Sequence, residues 1–373
     1  MKRKSGKASS KRRTDKAPKS VRSPSQAPPS SRGAAERSKY RPPRSDEFPR
    51  FAGVPSFLRL PIRDDPETVP QVDVVLQGVP FDGGTSFRPG ARFGPRAVRE
   101  ASALARSFSA ALGVDIYDEL RVVDGGDVRV SPHDMDRALE ATALRAEAIT
   151  RSGAIGGFIG GDQTVTLGAL RGIHRAKHKS VGLLHIDAHS NASPRFGPRD
   201  IHHSSAIRKL VEEGLVRPEY AMQVGIRGPY SSSEDLSFAL ASGFEVVTMD
   251  EVRWDLHAVV SQVRKLVRHG ALYVSVDVSS LDPSCAPGTG FPSPGGMNSW
   301  ELQQILRALV GADIVGFDVV EIAPPFDPTG ITAMVGVTIV QEILSALADS
   351  RRSARPAPSS HHDSVRRGKR LSP

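Results

Sequence analysis

Residues 184–189, Leu184-His185-Ile186-Asp187-Ala188-His189, decide how this chain is read. An apolar run, 181–187 (VGLLHID), has the length and composition of a buried strand and delivers an Asp and a His, two apart, to its carboxyl end. Residues i and i+2 on a strand point to one side, so Asp187 and His189 converge there. A second run of the same kind, 271–278 (ALYVSVDV), delivers Asp277 and then Ser279. Working outward, further short apolar runs occupy 72–79, 121–126, 154–160, 221–227, 244–249 and 314–321. Helical patterns separate them at 94–109, 135–152, 166–177, 204–214, 255–269, 299–310 and 337–348. Strands apolar on both faces, alternating with helices, predict a parallel sheet covered on each side, an α/β fold of the doubly wound kind. Such sheets bind ligands beyond the carboxyl ends of their strands. No second domain and no internal repeat is read.

The formal charge of +9 is carried by the chain ends. Residues 1–45 hold fifteen Lys or Arg against two acids, and 351–373 hold seven against one, so the body between them is net acidic. Both ends are poor in aliphatic residues and cannot bury enough apolar area to offset ordering. The expected layout is a disordered basic tail over 1–48, one domain over 49–349, and a second disordered basic tail over 350–373. No apolar run approaches the roughly 20 residues of a spanning helix, so no membrane partner is expected. Nor is a nucleic-acid partner, because no aromatic-basic interleaving accompanies the tails. The single cysteine, Cys285, excludes an intrachain disulfide, fits a cytoplasmic protein and reads as a packing residue between Pro283 and Pro287.

Several phrases at strand ends carry chemistry. The Gly-rich stretch 156–162 lacks the Lys of a phosphate-binding loop and reads as a tight turn where backbone passes close to a site. Asp187, His189 and Asp277 suit a divalent metal, or, with no metal, a buried ion pair. Asp282-Pro283 is a turn initiator. His202-His203 offers a neutral-pH acid or base, or a surface histidine. Glu321, after strand 314–321, can pair with a planar cation such as a guanidinium.

Read together, these phrases resemble the ureohydrolase (arginase/agmatinase) family, most closely its agmatinase branch. The resemblance is carried by 51–61 (FAGVPSFLRLP), 78–99 (GVPFDGGTSFRPGARFGPRAVR), 225–228 (GIRG), 286–296 (APGTGFPSPGG) and 318–324 (DVVEIAP). It implies a three-layer α/β/α sandwich with an eight-stranded parallel sheet, assembled as a homo-oligomer, a trimer or hexamer. It also implies hydrolysis of a guanidino compound to urea and an amine by a hydroxide bridging two manganese ions. Asp187, His189 and Asp277 match metal-ligand positions of the family, the two Asp being the bridging carboxylates. Gln163, Asn191 and Ser279 stand where the family has further ligands. His203 matches an active-site His, and Glu321 matches the guanidinium-binding Glu.

The replacements leave two carboxylates where the pattern has four. Two divalent ions in that pocket would be poorly neutralised, and uncompensated buried charge is costly. One divalent ion, Mn2+ or another, held by Asp187, His189 and Asp277, is the expectation. Two function classes follow. One is an agmatinase-like amidinohydrolase acting on a small guanidino substrate. The other is a catalytically impaired protein of the same fold that binds guanidino compounds or regulates a partner. Substrate choice would lie in the loop 190–203, where Arg195 and Arg199 are available to a guanidino acid.

Overall fold

The computed structural model describes residues 39–63, 65, 71–194, 200–228 and 233–355. Most of both expected tails, and Arg195 and Arg199, lie outside the described residues. The strands are β1 (Val74–Val79), β2 (Phe108–Ser109), β3 (Val114–Asp115), β4 (Val122–Asp127), β5 (Ile155–Gly160), β6 (Val181–Ile186), β7 (Val216–Ile226), β8 (Glu245–Thr248), β9 (Ala271–Asp277) and β10 (Asp313–Val320). The helices are α1 (Gly94–Ala101), α2 (Ile116–Glu119), α3 (Met135–Arg151), α4 (Thr164–Lys177), α5 (Ala206–Glu212), α6 (Ser233–Ser242), α7 (Met249–Trp254), α8 (Leu256–Leu266), α9 (Ser299–Arg307) and α10 (Ile331–Ala354).

Eight strands form one sheet in the order β4-β1-β5-β10-β9-β6-β7-β8, and every pair in it is parallel. All eight expected strands are present. Their side chains feed two apolar layers, one on each face. Leu184, Ile186, Val274 and Val276 point into one layer and Leu183 and Tyr273 into the other, as the alternation of a strand requires. Burying each such side chain contributes roughly 1.5–3 kcal/mol. The expected α/β/α sandwich is therefore the fold, with β2 and β3 as a small antiparallel hairpin beside it.

Helix bounds differ from the pattern reading in three instructive places. The helix expected over 94–109 stops at Ala101. Ser102 is buried there, its hydroxyl donating to Arg99 O at 2.8 Å and accepting from Leu58 N at 2.8 Å, so it ties the helix end to the 56–60 turn. The last helix begins at Ile331, six residues before the expected 337. Gly336 hides that turn from a propensity reading, yet a Cβ there would sit 2.5 Å from Ile322 Cδ1, so close packing selects the glycine. Helices α6 and α7 were not expected; α7 rests on a capping box, with Thr248 Oγ1 accepting from Glu251 N and Glu251 accepting from Thr248 N. By length and composition α10 could cross a membrane, but 72% of its most apolar window is buried inside the fold, as in a core helix.

Candidate active site and metal centre

The four central neighbours β5, β10, β9 and β6 carry the candidate residues just beyond their carboxyl ends. Gln163 follows β5, Glu321 follows β10, Asp277 ends β9 and Ser279 follows it, and Asp187, His189 and Asn191 follow β6. Adjacent parallel strands in register (Leu184 opposite Val274, Ile186 opposite Val276) bring Asp187 beside Asp277.

Asp187 is fully buried. Its Oδ1 accepts from His189 N at 2.9 Å and from Ser279 Oγ at 2.9 Å, and lies 3.3 Å from His189 Nδ1. Its Oδ2 accepts from Asn191 Nδ2 at 2.6 Å and lies 3.0 Å from His185 Nε2. Burial favours the neutral acid, but the bonds from His185 and His189 outweigh it and hold the Asp187 pKa well below the ordinary carboxylate range. Asp277 goes the other way. Burial first, then the charges of Asp187 and Glu321, push its pKa far up, although it accepts from Ser279 N at 2.7 Å. The two carboxyls are thus pushed in opposite directions, Asp187 toward the charged form and Asp277 toward the neutral one.

One ligand atom from each of Asp187, His189 and Asp277 lies within 4.8 Å of the other two, the only such His, Cys, Asp or Glu group among the described residues. Two carboxylates and an imidazole suit one divalent ion of mixed N/O preference. The replaced positions add no further carboxylate or imidazole to the set. Gln163 turns its Nε2 away, donating to Thr166 Oγ1 at 2.8 Å and Ser275 Oγ at 3.0 Å, and leaves Oε1 buried without a partner. Asn191, at φ 48, uses its amide as a donor on Asp187. Ser279 likewise donates to Asp187. Protein donors thus reach both oxygens of the Asp187 carboxylate, while Gln163 Oε1 stays free to accept. Among the described residues, Asp187, His189 and Asp277 fit a divalent ion.

Glu321 and His203 face the same space. A cavity of about 510 Å³ is lined by His189, Asp277, Phe291 and Asp235 together with these two. Glu321 has a left-handed backbone, φ 63, which costs a non-glycine residue of order 1 kcal/mol or more. The turn is held by Glu321 N donating to Gly161 O at 2.8 Å and by Gln163 N donating to Glu321 Oε1 at 3.0 Å. Gly161 itself admits no side chain, since a Cβ would lie 1.5 Å from Phe81 O. The Gly-rich stretch is the close-packed turn its sequence predicts.

His203 is buried, not on the surface. Its Nδ1 lies 3.5 Å from Glu321 Oε1, its Nε2 lies 3.0 Å from Ser86 Oγ, and its ring packs on Phe291. Burial lowers its pKa, but Glu321, Asp162 and Asp187 more than reverse this, so the net shift is upward. The neighbouring His202 is also buried, with Nε2 3.1 Å from Pro194 O, and burial lowers its pKa. Asp282 is the expected turn former, accepting from the backbone of Ser284, Gly295 and Gly296.

Beneath the site runs a polar row that the sequence reading missed. Gln223, His185, Ser275 and Asp318 are register partners on β7, β6, β9 and β10. Gln223 Nε2 stands 3.1 Å from His185 Nδ1 and donates to Ser190 O at 2.7 Å, while His185 Nε2 lies 3.0 Å from Asp187 Oδ2. Ser275 Oγ donates to Asp318 Oδ1 at 2.7 Å, and Tyr273 OH donates to Asp318 Oδ2 at 2.8 Å. Burial raises the Asp318 pKa to about 6, against those hydrogen bonds. The signal was present: His185 and Ser275 each precede a candidate Asp by two and so share its face. Asp235 was missed as well. It is buried in the cavity wall with Oδ1 unpartnered, and it comes from α6, which the apolar pattern did not reveal.

Comparison with known proteins gives the same answer over most of the chain. A family model described as the arginase family matches residues 72–346. Guanidinopropionase of Pseudomonas aeruginosa is 44% identical over 306 residues, 82% of this chain and 95% of that one. Proclavaminate amidinohydrolase of Streptomyces clavuligerus superposes with a TM-score of 0.77 at 37% identity, covering 81% of this chain and 99% of that one. A hypothetical agmatinase from Burkholderia thailandensis gives 0.74 at 34%, covering 82% and 93%. With its fold, its strand-end residues and these relatives, which are guanidino-compound amidinohydrolases, the chain belongs to the arginase family.

Proposed function

We propose that this protein hydrolyses a small guanidino compound to urea and an amine, using one divalent metal ion held by Asp187, His189 and Asp277. The observation that supports this most is the convergence of those three ligands on a cavity that Glu321 and His203 also face. Bound there, a divalent cation such as Mn2+ acidifies water and so supplies a nucleophile near neutral pH. The remaining work falls to the chain. The Glu321 carboxylate pairs with the guanidinium and fixes its plane. His203, held on its Nδ1 side by Glu321, carries a proton and gives it to the amine nitrogen as the carbon–nitrogen bond breaks. One water is consumed, and urea and the amine leave. His185 orients Asp187, and the Phe291 ring packs near those of His189 and His203. The proposal includes a homo-oligomer, a trimer or hexamer.

One observation favours a second reading, a guanidino-binding protein with impaired catalysis: both Asp187 oxygens are already satisfied by the protein. One experiment separates the two. Metal is quantified in the purified protein, and urea release is measured with 3-guanidinopropionate, 4-guanidinobutyrate and agmatine in Mn2+, Ni2+, Zn2+ and Fe2+. About one ion per chain with urea release supports the hydrolase. A protein that takes up no metal and stays inert with every pair, yet binds a guanidino compound, is the second kind.

A further inference from the structure

A separate cleft of about 710 Å³, sharing no residue with the active-site cavity, lies between the segment 41–59 and the start of the β2–β3 hairpin. Five arginines line it, Arg41, Arg44, Arg50, Arg59 and Arg106, against two acids, Asp46 and Glu47. Two of the arginines are spoken for. Arg44 pairs with Asp46 at 2.7 Å and approaches Glu47 at 3.6 Å, and Arg41 pairs with Asp118. The other three make no ion pair among the described residues. Arg50 donates to the carbonyls of Ala103 and Ala105 at 2.7 and 2.9 Å, and Arg59 to that of Phe48 at 2.8 Å. Carbonyl oxygens orient a guanidinium but do not cancel its charge. The arginines feel one another: burial and then the charges of Arg106 and Arg59 lower the Arg50 pKa.

The cleft is also built to stay in place. Leu58 and Arg59 have consecutive left-handed φ values of 56 and 60. Around them, Phe57 N donates to Asp124 Oδ2 at 2.8 Å and Leu58 N to Ser102 Oγ at 2.8 Å. A strained turn, tied at two backbone donors, projects Arg59 beside two like charges. Mutual repulsion of three guanidiniums favours any species that neutralises them, and the planar fork of Arg matches phosphate oxygens.

We propose that this cleft binds a small polyanion of the phosphate class, held by Arg50, Arg59 and Arg106. This inference stands independently of the hydrolase reading. The test is calorimetric titration of the full-length protein with inorganic pyrophosphate at fixed ionic strength, with chloride as the baseline. Arg106 is exposed and its side chain makes no hydrogen bond or ion pair among the described residues, so Arg106→Gln removes charge alone. Arg59→Gln removes a second charge, and Arg96→Gln, on α1 outside the cleft, is the control. The expected result is saturable binding, weakened roughly tenfold or more by Arg106→Gln and again by Arg59→Gln, but not by Arg96→Gln. ATP compared with tripolyphosphate tells a nucleotide from a free phosphate chain, either of which supports the class. Three results overturn the proposal: pyrophosphate bound no better than chloride, affinity unchanged in Arg106→Gln (the basic chain ends would then be the binder), or a change of oligomeric state in Arg106→Gln without loss of affinity.

Discussion

Asn191→Asp is the sharpest probe of the site, because it restores a carboxylate while leaving the backbone alone: Asp tolerates the left-handed region as Asn does. In the present chain Asn191 Nδ2 donates to Asp187 Oδ2 across 2.6 Å. The substitution replaces that donor by an acceptor at the same distance. Two charges so placed repel by roughly 6 kcal/mol at an effective dielectric of about 20. The pair escapes part of this by taking up a proton, which at pH 7 costs an ordinary aspartic acid about 4 kcal/mol. The smaller figure sets the ceiling. In chelator, Asn191→Asp should therefore lose about 4 kcal/mol at pH 7, a fall in Tm of roughly 8–16 °C for a domain of this size. The pKa of the new carboxyl is raised on folding, so the penalty grows as pH rises above about 4 and vanishes below it. Excess Mn2+ should recover the loss, since a cation between the carboxylates binds only the folded state. Thermal melts at pH 5 and pH 7, in chelator and in Mn2+, measure all three effects. A variant that melts within 2 °C of the parent at pH 7 in chelator, or that ignores Mn2+, would show that residue 191 does not face the cation site.

Other outcomes follow from single contacts. Glu321→Gln should lower kcat/KM for guanidino substrates roughly 10- to 100-fold, the usual worth of a charge-assisted contact, while metal content stays constant; an unchanged kcat/KM removes Glu321 from substrate binding. His203→Asn should cost 10²–10⁴-fold in kcat. It should also erase the decline of kcat on the alkaline side, which the parent shows as pH rises through a His203 pKa lifted above its ordinary value; an intact alkaline limb in the variant assigns the proton to another group. Asp162 and Asp318 both have pKa values raised to about 6, so each should stabilise the fold below about pH 4 and lose that contribution as pH rises through 6, about 3 kcal/mol apiece. Urea unfolding from pH 4 to 7 in chelator should show a fall in stability that is smaller by about 3 kcal/mol in Asp318→Asn; an equal fall in the variant refutes the burial argument.

The sheet was legible because its strands are apolar on both faces, a pattern solvent-exposed segments do not imitate. The site was legible for a related reason: at the end of a buried strand there is little room for Asp or His without a task. Legibility failed where tertiary contact overrides local preference. Gly336 sits in a helix only because Ile322 occupies the space its side chain would need. Glu321 has a backbone conformation that nothing in its neighbours' identity announces. The direction of each amide was equally hidden. Gln163 and Asn191 stand where the family has further ligands, and in the fold both turn their nitrogen to an acceptor. Only the register of four strands reveals the whole Gln223–His185–Ser275–Asp318 row, whose closest members in sequence are still 38 residues apart.

The spacing of Asp187 and Asp277 is dictated by the hydrogen-bonded ladder between β6 and β9, which is made of backbone and needs no cation to close it. A centre built that way is cargo carried by a finished scaffold, unlike a zinc finger, where the ion is the keystone. Ligands can then be exchanged one at a time without unravelling the molecule, so a lineage on this architecture is free to drift between catalysts and quiescent receptors while its frame endures.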